Sequence, residues 1–321
     1  MDGQAILTIS LSAISQGVIW SIMALGLYIT FRMLKFSDLT VDGSFTTGGA
    51  ISAVLIVNGV NPALSLLLAL VGGMVAGFIT GFLHTRMKIS PLLSSILTQI
   101  GLYSINLRIM GKPNQALLKV ETVFKQFTGL TKISDPYGSL LLAALITAVL
   151  ILLLYWFFGT ELGSSIRATG DNPSMVRALG VNTKATIMVG LVLGNGLVAL
   201  SGGLLAQSQG FADMDMGTGA IVIGLATIII GEVLFLKRNF LQRFIGVVVG
   251  SIIYRGIIAI VLQLKVESQD LKLFTAIIVA LALWIPVATD QYRARRARKE
   301  ANRTLFIDQV EGDVDTSERE D

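Results

Sequence analysis

Two charged residues inside apolar runs are the first candidates for chemistry in this sequence. Glu232 lies in IIIGEVLF and Arg255 in SIIYRGII. A charge inside a bilayer costs at least about 2.5–3.5 kcal/mol, so each should be paired or face a cavity. Two hypotheses follow. The charges lock a helix bundle, as one pair or as two separate polar pairings, or they form a gate or a contact to a zwitterionic solute.

Two carboxylates in FSDLTVDGS form the second candidate, because Asp38 and Asp42 are four residues apart and would share a face on a helix. General acid–base chemistry is rejected, since no nucleophile or electrophile accompanies them. Two interpretations stay open for residues 36–44, which include Phe36. Asp42 or Ser44 caps the following helix, or the stretch belongs to a broken helix beside a pathway.

The composition excludes most soluble and catalytic classes. Of 321 residues, 53% are hydrophobic and 14% charged, and the mean hydropathy is +0.73, whereas a soluble domain carries about 25% charge. There is no cysteine and a single histidine, His84, so we expect no catalytic residue, metal or cofactor. The net charge of +4 does not indicate nucleic acid, because basic loops explain it. We predict an all-α polytopic membrane protein.

Nine apolar runs approach the length of about 20 residues that a membrane-spanning helix needs, and eight or ten helices would also be compatible. The second run is short and follows SDLTVDGS, so half of a broken helix is one hypothesis for it. The predicted spans are residues 5–30, 43–57, 63–83, 91–108, 139–158, 184–206, 220–235, 243–262 and 271–287.

Basic residues set the predicted orientation. Five groups would share the cytoplasmic side if the N-terminus is outside and the C-terminus inside, although the outer loop 111–137 contains four lysines. Residues 1–290 then form the membrane domain. Residues 291–321 form a cytoplasmic tail, basic and then acidic, whose acidic part should be disordered. The basic groups begin at Arg32, Arg86, Arg167, Lys237 and Arg293.

Glycines four residues apart recur within the predicted spans. Such spacing lets two helix backbones approach closely. The contact could lie within one subunit or at the seam of a homodimer, and the sequence does not separate these alternatives. The pairs and triplet are Gly73, Gly77 and Gly81; Gly190 and Gly194; and Gly246 and Gly250.

A polar segment, residues 160–183, separates two of the apolar runs. Asn172 is a good N-cap, Pro173 suits the first helical position, and Gly180 can adopt the left-handed turn that ends a helix. These signals predict a short helix over residues 173–179. It would present Arg177 on one side, and on the other Met175, Ala178 and Leu179.

The polar segment also carries a family pattern, RA-x3-NP-x3-R-x-LG-V. Together with GLYITFRMLKFSDLTVDGSFTTGGA, GSIIYRGIIA and DLKLFTAIIVALAL, it resembles the permeases of ABC importers of the branched-chain amino acid and ribose type. The resemblance is closest to a subgroup linked to tryptophan or tyrosine uptake. It implies a homodimer in the bacterial inner membrane, with the pathway at or near the subunit interface. Its implied solute is small and polar, an amino acid and in this subgroup an aromatic one.

The same resemblance assigns partners and roles. Two copies of a cytoplasmic ABC ATPase would bind the polar segment, and an extracytoplasmic binding protein would dock on loops 111–137 and 209–219. The chain has no G-x4-GK[ST] motif, so it cannot bind ATP through that motif. The alternative is a gradient-driven transporter or channel acting through Glu232. The pathway candidates are Phe36, Asp38, Asp42, Glu232 and Arg255; the coupling candidates are Arg167, Asp171, Asn172, Pro173, Met175, Arg177, Ala178, Leu179 and Gly180.

Overall fold

The computed structural model describes residues 3–118, 120–235 and 239–263, together with the helical positions 273, 276, 277, 280 and 284. All elements named below lie in one compact unit, Met1–Thr275. Of the second unit, Ala276–Asp321, only positions 276, 277, 280 and 284 are described. The predicted tail, residues 291–321, lies outside the described residues.

Eleven helices, one π-helical turn and two short strands make up the described chain. The first half contains α1 (Gly3–Leu27), the π-helical turn (Tyr28–Met33), α2 (Thr40–Val57), α3 (Pro62–Thr85), α4 (Pro91–Met110), β1 (Asn114–Ala116) and α5 (Val123–Thr131). The second half contains α6 (Tyr137–Gly159), α7 (Glu161–Asp171), α8 (Pro173–Ala178), α9 (Thr183–Gln209), β2 (Phe211–Asp213), α10 (Ala220–Leu234) and α11 (Phe240–Gln263).

Six of the described helices are long and apolar enough to cross a membrane, so this is a multi-pass helical protein. The predicted runs 91–108 and 220–235 are also helical, but α4 is less apolar and α10 has only 15 residues. The predicted ninth span, 271–287, lies outside the described residues apart from five helical positions. The count of nine stays a prediction. The six spans are Thr8–Met33, Thr40–Val57, Pro62–Thr85, Tyr137–Gly159, Thr183–Gln209 and Phe240–Val261.

Local chemistry explains where several helices begin and end. The Asn61 side chain accepts a hydrogen bond from Ala63 N at the start of α3, where Pro62 occupies the first turn. Gly111 and Gly210 adopt left-handed conformations that end α4 and α9. The bounds of these spans therefore follow from residues within one turn of each end.

Glycines on α3 allow this helix to lie directly against α9. A Cβ atom added to Gly73 or Gly77 would overlap the carbonyl oxygens of Asn195 and Leu191. Gly246 packs in the same way on Gly231 of α10. The described glycine repeats thus make close helix contacts within one subunit, the first of the two alternatives left open by the sequence.

The two ends of the bundle are built differently. The proximal end, defined by the polar segment 160–183, carries α7 and α8. The distal end carries an antiparallel pairing of β1 with β2, in which Asn114 lies opposite Asp213 and Ala116 opposite Phe211. The predicted loops 111–137 and 209–219 therefore form one joined structure, and the predicted all-α fold contains this single small sheet within the described residues.

Helix α2 begins inside the bundle rather than at its proximal end. The Asn195 side chain donates to the Asp38 carboxylate over 2.8 Å. At 1.5 Å per residue, Asn195 lies about 18 Å from the proximal start of α9. The Asp38 carboxylate also accepts from Thr40 N, the first residue of α2, over 3.0 Å. The prediction that Asp42 or Ser44 caps this helix is wrong, because Asp38 binds its first amide.

The α3–α9 contact generates a stability prediction. Gly77→Ala should destabilise the protein by about 1–3 kcal/mol, because the added methyl group forces two backbones apart. Gly101→Ala on α4 is the matched control, since a Cβ atom there meets open space. Thermal unfolding of the purified full-length protein in detergent measures the stability of both variants. Equal unfolding temperatures for the two variants would contradict the packing described here.

Candidate functional site

The short helix of the polar segment forms as predicted, one residue shorter at its C-terminal end. The Asn172 side chain accepts hydrogen bonds from Ser174 N over 3.2 Å and Met175 N over 3.0 Å. Gly180 has a φ of +84° and turns the chain into α9. Val176 anchors α8, with 2% of its surface exposed. The sequence-based prediction missed Val176, although it is the apolar position between the two predicted faces.

The outward surface of α8 exposes apolar side chains, and we refer to it as the docking face because we propose a docking role for it below. Met175 is 50% and Leu179 73% exposed, and Arg177 donates from Nε to Pro173 O over 3.2 Å, which keeps its side chain along the helix. Exposed apolar side chains outside the membrane-spanning helices are typical of protein interaction sites. The docking face consists of the exposed residues Asn172, Pro173, Met175, Arg177, Ala178 and Leu179.

Arg167 differs from the other coupling candidates. Its guanidinium lies over the Phe240 ring at 5.0 Å from the centroid, and its Nε is buried without a hydrogen-bond partner among the described residues. This side chain therefore packs α7 against the start of α11. We leave Arg167 out of the docking face for that reason.

Asp171 and Gly170 join the polar segment to the end of the first span. The Lys35 ammonium donates to the Asp171 carboxylate over 3.0 Å. Gly170 lies against the Met33 carbonyl so closely that a Cβ atom would overlap it. The last turn of α7 is thereby fixed on residues 33–35.

Glu232 and Arg255 do not pair with each other. The Glu232 carboxylate accepts two hydrogen bonds from Arg32, from Nε over 2.6 Å and from an Nη over 2.8 Å. The Arg255 guanidinium lies over the Trp20 ring, 4.1 Å from its centroid. Glu232 therefore has a polar partner of its own, whereas the buried Nε of Arg255 has no hydrogen-bond partner among the described residues.

Asp38 takes part in a buried polar network at the start of α2. The Asn195 amide donates to Asp38, and its oxygen accepts from the Ser44 hydroxyl over 2.7 Å. All three side chains are fully buried. Phe36 is also buried and meets the His84 ring at 5.2 Å, edge to face. Asp38 thus supports the start of α2, and Phe36 packs against α3.

Asp42 faces a different element from Asp38. Its carboxylate accepts from Gly219 N over 3.1 Å and from Ile221 N over 3.0 Å, at the start of α10. The prediction that the two carboxylates share a helix face is wrong, because Asp38 precedes the helix. The N-termini of α2 and α10 therefore each meet a carboxylate, a favourable position for negative charge.

An open pocket of about 490 Å³ lies between α2, α4 and the chain that follows β2. Of the predicted pathway residues, only Asp42 lines it. Sequence reasoning missed Gln99, Tyr103 and Asn106 on its α4 wall. Their spacing of four and three residues places these three side chains on one face of α4, and this signal could have found them. The described residues contain no cluster of three potential metal ligands.

The hydrogen bonds of Asp42 generate a prediction. Asp42→Ala should lower the free energy of unfolding by about 1–3 kcal/mol, because two amides at the start of α10 lose their acceptor. Hydrogen exchange at Gly219 and Ile221 should accelerate in parallel. Asp213→Ala is the control, since this carboxylate binds Asn114 and the amide of Asp215 instead. Unchanged exchange at both amides in Asp42→Ala would refute this role.

The Arg32–Glu232 pair generates a second prediction. Arg32→Glu should lower the unfolding temperature, because it sets two carboxylates side by side, and Arg32→Glu combined with Glu232→Arg should recover it. The side chains are 60% and 30% exposed, so the coupling free energy should be about 1 kcal/mol or less. Arg108→Glu, at the opposite end of the bundle, controls for charge reversal alone. A swapped variant no more stable than Arg32→Glu would argue against the pairing.

Comparisons with known proteins agree with a membrane transport role. The family described as "Branched-chain amino acid transport system / permease component" matches residues 9–285. The chain is 43% identical over 269 residues to a tyrosine transport system permease protein of Clostridioides difficile (strain R20291), covering 84% of this chain and 88% of the relative. It is 34% identical over 281 residues to an uncharacterized protein of Rickettsia prowazekii (strain Madrid E), covering 86% and 97%.

Among solved structures, the chain is similar to PsaBC from Streptococcus pneumoniae in complex with Fab. The TM-score is 0.49 and the identity 14%, over 86% of this chain and 90% of that one. The family match spans nearly all of the described residues, including the polar segment and the pocket. The chain belongs to the family of permease components of branched-chain amino acid transport systems.

Proposed function

We propose that this chain is the membrane-spanning subunit of an ABC importer that carries an amino acid, with tyrosine or a related aromatic amino acid as the solute. The 43% identity to a tyrosine transport system permease protein supports the solute class. The observation that carries the coupling assignment is the docking face, in which capped α8 exposes Met175 and Leu179. As a permease component, the chain moves a solute and is not itself an enzyme.

The docking face inserts into a groove on a separate cytoplasmic ATPase. Several contacts support transmission of motion from this face into the bundle. Asp171 binds Lys35, and the Thr169 and Thr186 hydroxyls lie 2.8 Å apart between α7 and α9. A displacement of α7 and α8 would therefore move the first span and α9 together.

The remaining partners follow the same proposal. Two permease subunits and two ATPase subunits form the importer in a bacterial inner membrane, and an extracytoplasmic binding protein docks on the joined loops of the distal end. The pocket opens where α4 exposes Ile100 and Tyr103. This supports a pathway at or near the interface of two subunits. The N-terminus is outside and the polar segment is cytoplasmic, as the basic groups indicate.

The gradient-driven alternative acts through Glu232. That carboxylate receives two hydrogen bonds from Arg32, so its charge is compensated by a neighbouring cation. The arrangement favours the ATPase-coupled hypothesis. Uptake into liposomes containing this chain alone, without ATP, would reverse that preference.

Substitutions in the docking face test the proposal. Leu179→Asp and Met175→Asp should each abolish co-purification of the ATPase subunit and transport-coupled ATP hydrolysis, because a buried carboxylate has no partner in an apolar groove. Leu130→Asp on α5 is the control for co-purification of the ATPase, since Leu130 is more exposed than either residue but lies at the distal end. Membrane insertion and unfolding temperature should be unchanged in all three. Wild-type ATP hydrolysis in both docking-face variants would contradict the proposal.

A further inference from the structure

The pocket beside α4 has a charge pattern that selects its ligand. Two carboxylates, Asp42 and Asp215, line it, and none of the described residues that line it is a lysine or an arginine. The Asp42 oxygens accept from two amides, and a carboxylate has about four acceptor positions, so capacity remains on both groups. The wall therefore favours a cation and disfavours an anion.

Asn106 supplies a second and independent observation. It lines the pocket with only 1% of its surface exposed. Its Nδ2 donates to the Gly43 carbonyl over 3.3 Å, which assigns the amide orientation and leaves Oδ1 facing away from that bond. Oδ1 has no hydrogen-bond partner among the described residues. A buried amide oxygen can only accept, so this wall favours a ligand with an N–H or O–H donor.

Part of the pocket lining suits an apolar or aromatic group. Tyr103 exposes 57% of its surface, and Ile100 and Met214 lie in the same lining. A ring can pack on these side chains while a charged end points to the carboxylates. The volume of about 490 Å³ lies within the range of ligand sites, about 300–1,000 Å³.

We infer that this pocket binds the transported solute by its ammonium group, held by Asp42, Asp215 and Asn106 Oδ1, with the side chain of the solute against Tyr103. The inference rests on the proposed function and specifies the substrate class of its pathway, a primary ammonium compound with an apolar or aromatic part. The amides at the start of α10 already bind Asp42. A carboxylate on the solute therefore has no assigned donor here and faces the open side.

Three probes that differ in one group test the inference on the full-length chain in lipid nanodiscs. They are L-tyrosine, tyramine, which lacks the carboxylate, and 3-(4-hydroxyphenyl)propionate, which lacks the ammonium group. Saturation-transfer-difference NMR detects weak ligands directly and needs no ATPase. L-tyrosine and tyramine should bind, and the propionate should bind at least about tenfold more weakly, because it places a carboxylate beside two others.

Variants connect the ligand preference to the pocket. Asp215→Asn and Asn106→Leu should each weaken tyramine binding about tenfold, because the first removes a negative charge beside the ammonium group and the second removes an acceptor. Glu121→Gln, an exposed acid of the distal loops outside the pocket, should bind tyramine as the wild type does. The unfolding temperature shows whether Asn106→Leu folds. If it does not fold, Asp215→Asn decides the outcome, because Asp215 is exposed and its substitution should not disturb the fold.

Two results would overturn the inference: equal binding of the propionate and tyramine, or undiminished tyramine binding by Asp215→Asn. Either would leave the docking-face experiment untouched, because that experiment measures ATPase association. Conversely, loss of the ATPase assignment would leave the ligand preference measurable on the isolated chain.

Discussion

The start of α2 inside the bundle is the constraint from which the other features follow. Backbone amides that have no helical partner must find acceptors within the protein at this depth, because lipid offers none. Asp38 binds the first amide of α2 and is itself held by Asn195 of α9. Asp42, on the first turn of α2, in turn binds the first amides of α10. Two carboxylates thus satisfy two helix starts that meet within the described bundle.

This arrangement determines where a solute could be bound. The segment after β2 runs along α2 as far as Asp42, where Gly217 lies against the Asp42 carbonyl. The pocket forms between this segment, α2 and α4. The pocket is polar because it is lined by Asp42, which accepts hydrogen bonds from amides at the start of α10, and by the α4 face that carries Asn106.

Helix α10 connects that pocket to the proximal end. Its first amides bind Asp42, and Glu232 in its last turn binds Arg32. Fifteen residues of helix span about 22 Å. Lys35, close to Arg32 in the chain, binds Asp171 beside the docking face. A series of polar contacts and one helix therefore connects the docking face to the pocket, an arrangement compatible with the proposed coupling between them.

The amino-acid sequence by itself determined the features that depend on residues within a few positions of each other. Apolar length located the six helices that are long and apolar enough to cross a membrane. Asn172, Pro173 and Gly180 specified the short helix, because capping acts over one turn. The tertiary structure decided which distant groups meet. Glu232 binds Arg32 rather than Arg255, Arg167 packs on Phe240, and Asp42 caps a helix nearly 180 residues further along the chain. Such partners are chosen by how the helices pack, and the same side-chain chemistry would have allowed several others.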